Sequence, residues 1–151
     1  MTTIEKSVVI KAPLEKVFRF AVDMRNLKSY FVYVEEVKSI GQDIIQKGAI
    51  YSLKVKFLGR VRPSRWECTE YIDNIGWTFN ATLMGLTAVK RWLFEKEDDS
   101  TRVTFTLEYN MSPPVIGPLL DFILIKRIWR KLYEQSFSKL KDLMEHGTSI
   151  G

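Results

Sequence analysis

The sequence predicts an α+β fold in which a curved, seven-stranded antiparallel sheet wraps around one long C-terminal helix. An opening strand is followed by two short helical segments, then by six strand-like segments with short turns between them, and finally by a basic amphipathic helix. Short connections join antiparallel strands, whereas parallel strands need long crossovers, so the six segments are predicted to form hairpins. We expect only the long helix to cover the apolar face of the sheet, because the two short helices are too small.

Length and composition predict one ordinary globular domain over residues 1–151. The chain is 46% hydrophobic and 27% charged, which is typical of a soluble domain. Its single cysteine, Cys68, excludes an intrachain disulfide and favours a reducing, cytoplasmic location. We find no signal peptide and no segment that is long and apolar enough to span a membrane. The net charge of +5 favours an anionic membrane surface as a partner, and it is too small to indicate nucleic-acid binding.

The first elements are a strand from Ile4 to Ile10 and a helix that follows it. Pro13 suits the first turn of this helix, and apolar residues then recur at helical spacing through residue 22. A second short helical segment is predicted over residues 24–29, with Asp23 as its N-cap.

Six strands are predicted after residue 33, separated by turns that contain glycine, asparagine or aspartate. Several of them alternate apolar and polar side chains, which indicates a sheet with one apolar face and one solvated face. The predicted strands cover residues 33–40, 49–58, 61–72, 76–84, 87–97 and 101–110.

The third of these strands contains a conflict of register. Strict alternation back from Trp66 turns Arg60 and Arg62 inward, where they would contact an acidic ligand. We expect Pro63 to mark a bulge or a sheet edge that resets the register. The basic residues between 47 and 65 are then expected to form a solvated outer face, with docking on an anionic membrane as the alternative.

The last helix is predicted from Pro118 to about Glu145, after a proline-rich loop. Its apolar residues form one stripe, and most of its lysines and arginines lie beside that stripe. Such a helix can cover a sheet, and it can also rest on a membrane surface.

Side chains between the sheet and this helix are predominantly aromatic and aliphatic. They form either a packed core or the walls of a ligand cavity, since pockets for apolar ligands have this composition. A cavity smaller than about 150 Å³ would count against a ligand, because binding pockets usually reach about 300 Å³ or more. The candidate lining residues are Tyr51, Leu53, Val55, Phe57, Trp66, Cys68, Phe79, Ala81, Leu83, Trp92, Phe94, Phe105, Leu107, Tyr109, Phe122, Ile125, Trp129 and Tyr133.

Polar candidates for chemistry are few. Lys90 shares a face with Trp92, and we expect its ammonium group to reach water along its apolar stem rather than to bind an acidic head group at the cavity mouth. Cys68 is expected to behave as a buried apolar residue. The only histidine, His146, lies near the C-terminus. The sequence therefore predicts no nucleophilic Cys/His pair, no zinc site, no cofactor and no catalytic residue.

Motifs along nearly the whole chain resemble those of the START/Bet v 1-like (SRPBCC) superfamily, which has the helix-grip fold. They are most similar to its polyketide cyclase/dehydrase and lipid-transport branch. This branch often has Trp or Pro near the second short helix, where this chain has Tyr30 and Phe31. The motifs are VVIKAPLEKVFRFAVD (8–23), VEEVKSIG (34–41), GAIYSLKVKFLGR (48–60), WECTEYIDN (66–74), STRVT (100–104) and LYEQSFSKLKDLME (132–145).

The resemblance implies a cavity that holds a hydrophobic small molecule such as a lipid, isoprenoid, quinone or polyketide. Binding or transport of that molecule is the function we favour, because the chain carries no catalytic signature of the superfamily. One alternative is a cyclase or dehydratase, which needs at least two ionisable groups converging inside the cavity. The other is an adaptor on an anionic membrane or in a larger complex.

Overall fold

The computed structural model describes residues 2–110 and 120–147, without the side chains of residues 120–122. A seven-stranded antiparallel sheet curves around a long C-terminal helix, as the sequence predicts. The strands are β1 (Thr2–Ile10), β2 (Val34–Ile40), β3 (Ile50–Phe57), β4 (Arg60–Ile72), β5 (Gly76–Leu83), β6 (Leu86–Glu97) and β7 (Ser100–Tyr109). The helices are α1 (Leu14–Ala21), α2 (Leu27–Tyr30) and α3 (Leu120–His146), with a 3-10 turn at Met24–Asn26.

Strand order in the sheet is β1-β7-β6-β5-β4-β3-β2. The chain therefore runs as a meander from β2 to β7, and β1 joins it beside the last strand. Successive hairpin turns alternate between the two ends of such a meander. The β3–β4 and β5–β6 turns consequently lie at one end of the sheet, and the β4–β5 and β6–β7 turns lie at the other.

The two short helical segments begin where the sequence predicts. Pro13 is the N-cap of α1 and Glu15 lies in its first turn, where its negative charge interacts favourably with the positive end of the helix dipole. The Asp23 carboxylate accepts a hydrogen bond of 3.0 Å from the backbone N–H of Arg25. This bond caps the 3-10 turn that leads into α2.

These short helices cover more of the sheet than we expected. Phe18 on α1 is fully buried, and its ring centroid lies 5.0 Å from that of Phe94 and 5.3 Å from that of Trp77. The expectation that only the long helix covers the sheet is therefore wrong. One aromatic side chain lets an eight-residue helix cover the end of β5 and β6 that lies opposite the β5–β6 turn.

The expectation that Pro63 resets the register, through a bulge or a sheet edge, is also wrong. Pairing of β3 with β4 is unbroken from Phe57–Arg60 to Ile50–Glu67, and Pro63 pairs with Lys54 within it. Pairing with β5 begins only at Ser64, so Pro63 lies beyond the end of that neighbour, and an edge of this kind tolerates a residue without an N–H. Arg62 keeps the face of its partner Val55, and its Nε donates to the carbonyl oxygen of Phe57 at 3.1 Å.

Helix α3 is held to the N-terminal part of the chain by polar contacts. Lys141 Nζ donates to the backbone oxygen of Val9 at 2.6 Å, and the buried Ser136 hydroxyl accepts from the backbone N–H of Val32 at 3.1 Å. The predicted helix start at Pro118 lies outside the described residues. Helix α3 packs mainly against β1, which leaves room for buried side chains between the helix and the other strands.

Candidate functional site

The inner part of the space between sheet and helix is a packed aromatic core with Phe31 at its centre. The Phe31 ring is fully buried, and its centroid lies 5.6 to 6.1 Å from those of Trp66, Trp92, Phe105, Tyr133 and Phe137. Eight of the predicted lining residues belong to this packed part and contribute no wall to the cavity described below. They are Tyr51, Leu53, Trp66, Cys68, Phe79, Trp92, Phe94 and Phe105.

Cys68 is buried, as predicted, and its sulfur lies 3.2 Å from the carbonyl oxygen of Glu70. Burial raises the pKa of this thiol to about 11. The thiolate is the nucleophilic form of cysteine, so Cys68 is inert at neutral pH.

A cavity of about 190 Å³ remains between the sheet and the N-terminal half of α3. Its volume exceeds the 150 Å³ below which a ligand would be disfavoured and is smaller than the usual ~300–1,000 Å³ of ligand pockets. It therefore accommodates a small molecule, or one end of a longer molecule that leaves through the mouth. The Phe122 side chain lies outside the described residues. Nine predicted residues line the cavity: Val55, Phe57, Ala81, Leu83, Leu107, Tyr109, Ile125, Trp129 and Tyr133.

Two hairpin turns place apolar side chains at the mouth of this cavity. Leu58–Gly59 joins β3 to β4, Met84–Gly85 joins β5 to β6, and all four residues have positive φ angles of 53° to 77°. Such two-residue turns favour Asn or Asp before the glycine, and a left-handed conformation costs a larger residue about 1–2 kcal/mol. Leu58 and Met84 nevertheless line the cavity while remaining 49% and 44% exposed. The chain thus keeps apolar tips at two positions where they are conformationally unfavourable.

Lys90 is buried in the wall of the cavity, so the expectation that its ammonium group reaches water is wrong. It lies in the middle of β6, paired with Phe79 on one side and Leu107 on the other, and is only 5% exposed. Its Nζ lies 4.0 Å from the ring centroid of Trp66 and 2.9 Å from the hydroxyl of Tyr33. The side chain therefore ends among aromatic groups instead of reaching solvent along its stem.

Burial dominates the electrostatics of Lys90. No carboxylate among the described residues forms an ion pair with it, and desolvation lowers its pKa to about 7. A cation–π contact contributes about 0.5–2 kcal/mol, whereas desolvation of an ammonium ion costs several kcal/mol. The aromatic ring therefore offsets only part of the cost, and both charged and neutral forms of the amine are populated near neutral pH.

Two tyrosines extend from Lys90 as a hydrogen-bonded chain. The hydroxyl oxygens of Tyr33 and Tyr133 lie 3.0 Å apart, and both residues line the cavity. Burial raises the pKa of each hydroxyl, so both remain protonated at neutral pH and can donate. Three ionisable groups thus converge on the cavity.

Sequence reasoning placed Lys90 on the inner face but did not predict its burial, and it did not single out Tyr33 as a site residue. Lys90 shares its face with Trp92 and Phe94, which was the available signal, but alternation does not reveal how deep a side chain lies along a strand. Tyr33 was predicted as the first residue of a strand that the structure begins at Val34, and a position at the very end of a strand gave no assignment to a face. Among the described residues, no group of three His, Cys, Asp or Glu side chains can hold a metal ion.

Comparison with known proteins assigns the family. Residues 1–145 match the family described as polyketide cyclase / dehydrase and lipid transport. The chain belongs to this family. No functionally curated protein matches the sequence significantly. In the described part of the chain, no helix has the length and hydropathy needed to span a membrane.

Solved structures share the fold at low sequence identity. TTHA0849 from Thermus thermophilus is 22% identical with a TM-score of 0.79, and the match covers 98% of this chain and 100% of that protein. A START superfamily protein from Mycobacterium smegmatis is 16% identical with a TM-score of 0.73, covering 97% and 99%. DynU16, a putative protein of the dynemicin biosynthetic locus, is 15% identical with a TM-score of 0.69, covering 96% of this chain and 48% of DynU16.

Proposed function

We propose that this protein binds or carries a hydrophobic small molecule, such as a lipid, isoprenoid, quinone or polyketide-like compound, in the cavity between sheet and α3. The observation that carries this proposal is the unfilled volume of about 190 Å³, walled by apolar side chains from four strands and the helix. An apolar space without a ligand forfeits contacts on one side of every lining atom, and an apolar guest restores them. We propose the cytoplasm as the compartment, because Cys68 is an unpaired cysteine.

Mass spectrometry tests this proposal on the protein as purified. Native spectra would show whether a molecule remains bound, and solvent extraction would identify its class. We expect one apolar or amphipathic molecule per chain, and Ala81→Phe should abolish its retention by filling the cavity. Thr82→Phe is the matched control, since Thr82 is the exposed neighbour of the buried Ala81. Equal retention by both variants would show that the molecule binds elsewhere.

We propose that the cavity mouth docks on an anionic membrane to exchange this molecule. Leu58 and Met84 project at the mouth, and Ile123 and Leu124 near the start of α3 are 64% and 51% exposed. Arg60 and Arg127, also exposed, follow these apolar residues closely in the chain. Apolar tips beside cations are the combination that binds interfacial membranes.

Vesicle flotation tests the docking surface. We expect binding to vesicles that contain phosphatidylglycerol, weaker binding to pure phosphatidylcholine vesicles, and a loss of binding as salt screens the attraction. Leu58→Asn combined with Met84→Asn should weaken binding without weakening the fold, because Asn suits both turns. Binding that ignores lipid charge, salt and both substitutions would rule out this surface.

A cyclase-like activity is the second candidate, and the convergence of Lys90, Tyr33 and Tyr133 is the observation that favours it. A neutral amine in an apolar cavity can take a proton from the carbon between two carbonyl groups, and a tyrosine hydroxyl can donate to the carbonyl oxygen under attack. Ring closure of a linear poly-β-ketone would test this chemistry. Lys90→Met should abolish turnover and leave binding of the substrate measurable, whereas unchanged turnover would exclude the amine as the base.

A further inference from the structure

We propose that the ligand of this cavity carries a carboxylate head group, which binds to the cluster formed by Lys90, Tyr33 and Tyr133. This inference rests on the proposed function, since it assigns the chemistry of the molecule that the cavity holds. The cluster is a buried polar site within walls that are otherwise almost entirely apolar. Its composition, geometry and charge each point to the same kind of guest.

The cluster contains more hydrogen-bond donors than acceptors. A charged lysine has three N–H donors and no acceptor, and each tyrosine adds one O–H donor and one acceptor oxygen. Lys90 donates to Tyr33 at 2.9 Å, and the two tyrosine hydroxyls lie 3.0 Å apart. When the Tyr33 hydroxyl donates its hydrogen bond to the Tyr133 oxygen, the Tyr133 O–H and two lysine N–H groups still lack acceptors among the described residues. A guest that fits the cluster must therefore bring acceptor atoms.

Charge specifies which acceptors these are. Lys90 is a buried cation without a carboxylate partner among the described residues, and a buried charge is normally paired. One positive charge is balanced by one negative charge, which a carboxylate carries and a phosphate monoester exceeds. The two oxygens of a carboxylate can accept from the lysine and from Tyr133 at the same time. The apolar part of the acid then occupies the space bounded by Ala81, Leu107 and Trp129.

The direction in which the ligand lies follows from this arrangement. Lys90 is in the middle of β6, whereas Leu58 and Met84 are in the hairpin turns at the end of the sheet. The head group is therefore at the inner end of the cavity and the hydrocarbon points toward the mouth. A short acid is enclosed, and a longer one extends between the two apolar turns, which is consistent with a cavity of about 190 Å³.

Three probes with the same eight-carbon chain test the proposal: octanoate, 1-octanol and octylamine. Titration calorimetry at pH 6, where the Lys90 amine is charged, should rank wild-type affinity as acid above alcohol above amine. A hydrogen-bonded charged group contributes about 1.5–3 kcal/mol, so the acid should bind at least about tenfold more tightly than the alcohol. Octylamine should bind most weakly because it adds a second cation beside the first.

Two variants locate the preference. Lys90→Met should reduce octanoate affinity by at least about tenfold while leaving 1-octanol affinity within a few-fold. Tyr133→Phe retains the lysine and the ring but loses one donor, so it should cause a smaller loss that is again specific to the acid. The tyrosine variant also provides a second test if the lysine variant folds poorly.

Each of the other possible outcomes excludes a specific part of the proposal. If the wild type binds octanoate and 1-octanol equally, the head-group assignment is wrong while the cavity proposal stands. If Lys90→Met keeps its preference for the acid, the carboxylate binds elsewhere. If none of the three probes binds, the proposed function fails together with this inference.

Discussion

Replacing Lys90 by methionine should stabilise the protein, and most strongly at acid pH. Desolvation lowers the pKa of Lys90 from its ordinary value of 10.5 to about 7. Below pH 7 the side chain is charged in both the folded and the unfolded chain, so the folded state carries the full cost of the buried charge. Between pH 7 and 10.5 the folded state has released its proton while the unfolded state has not, and the stability of the wild type rises with pH.

The expected magnitude follows from the difference between the two pKa values. Each pKa unit corresponds to about 1.4 kcal/mol, so the full cost is about 5 kcal/mol. The linkage relation leaves about 2 kcal/mol of that cost at pH 9. Methionine has a similar length and no charge, so its stability advantage over wild type should fall by about 3 kcal/mol between pH 6 and pH 9.

Urea unfolding followed by tryptophan fluorescence measures this difference, because the free energy of unfolding extrapolates linearly to zero denaturant. Lys96→Met is the matched control, since Lys96 is an exposed lysine on the same strand. Its effect is subtracted as the consequence of removing a surface charge. A methionine variant that is less stable than wild type at pH 6, or an advantage that does not change with pH, would refute the reasoning.

Three further predictions test other parts of the structure. Leu58→Asn and Met84→Asn should each raise the free energy of unfolding by about 1 kcal/mol in thermal or urea unfolding, because Asn tolerates positive φ; a loss of stability would show that the apolar tips are essential contacts of the fold. Ser136→Ala should cost about 1 kcal/mol, since the part-buried backbone N–H of Val32 loses its acceptor, and unchanged urea unfolding would mean that another group replaces the hydroxyl. Phe31→Ala should cost about 3–5 kcal/mol in urea unfolding and should enlarge the cavity enough to bind a bulkier neutral dye such as Nile red. Absence of dye fluorescence in the variant would show that the core collapses into the vacated space instead.

Alternation of side chains was sufficient to predict the sheet. Leu53, Val55 and Phe57 are buried, and the two lysines between them are exposed, which is the pattern from which the strand was inferred. The strands begin and end within one residue of the predicted bounds, apart from β1, which starts two residues earlier than predicted, at Thr2. Period-two patterning works here because one face of the sheet is dry and the other is wet.

Depth along a strand could not be predicted in the same way. Lys90 and Lys96 are on the same face of β6 by parity, yet Lys90 is buried and Lys96 is exposed. What separates them is that the rings of Tyr33, Trp66 and Tyr133 surround the Lys90 ammonium group, a tertiary feature that alternation does not encode. A lysine on an apolar face usually reaches water along its stem, so the general rule favoured the wrong outcome.

The division between packed core and cavity was beyond the sequence for a similar reason. Alternation assigns an aromatic side chain to the concave face in the same way whether it packs in the core or lines the cavity. Phe31, in the turn between α2 and β2, decides the boundary, because its ring fills the inner end and leaves the outer end open. The unusual Tyr30-Phe31 pair was the only sequence feature that pointed to this position.

The measurement that tests the central claim most directly is calorimetric titration of octanoate into three proteins: wild type, Ala81→Phe and Thr82→Phe. The first substitution fills the cavity, and the second places the same side chain on the opposite face of β5. We predict saturable binding of one octanoate per chain to wild type and Thr82→Phe, and its loss in Ala81→Phe. Equal binding by all three proteins, or no binding by the wild type, would contradict the assignment of this cavity as the ligand site.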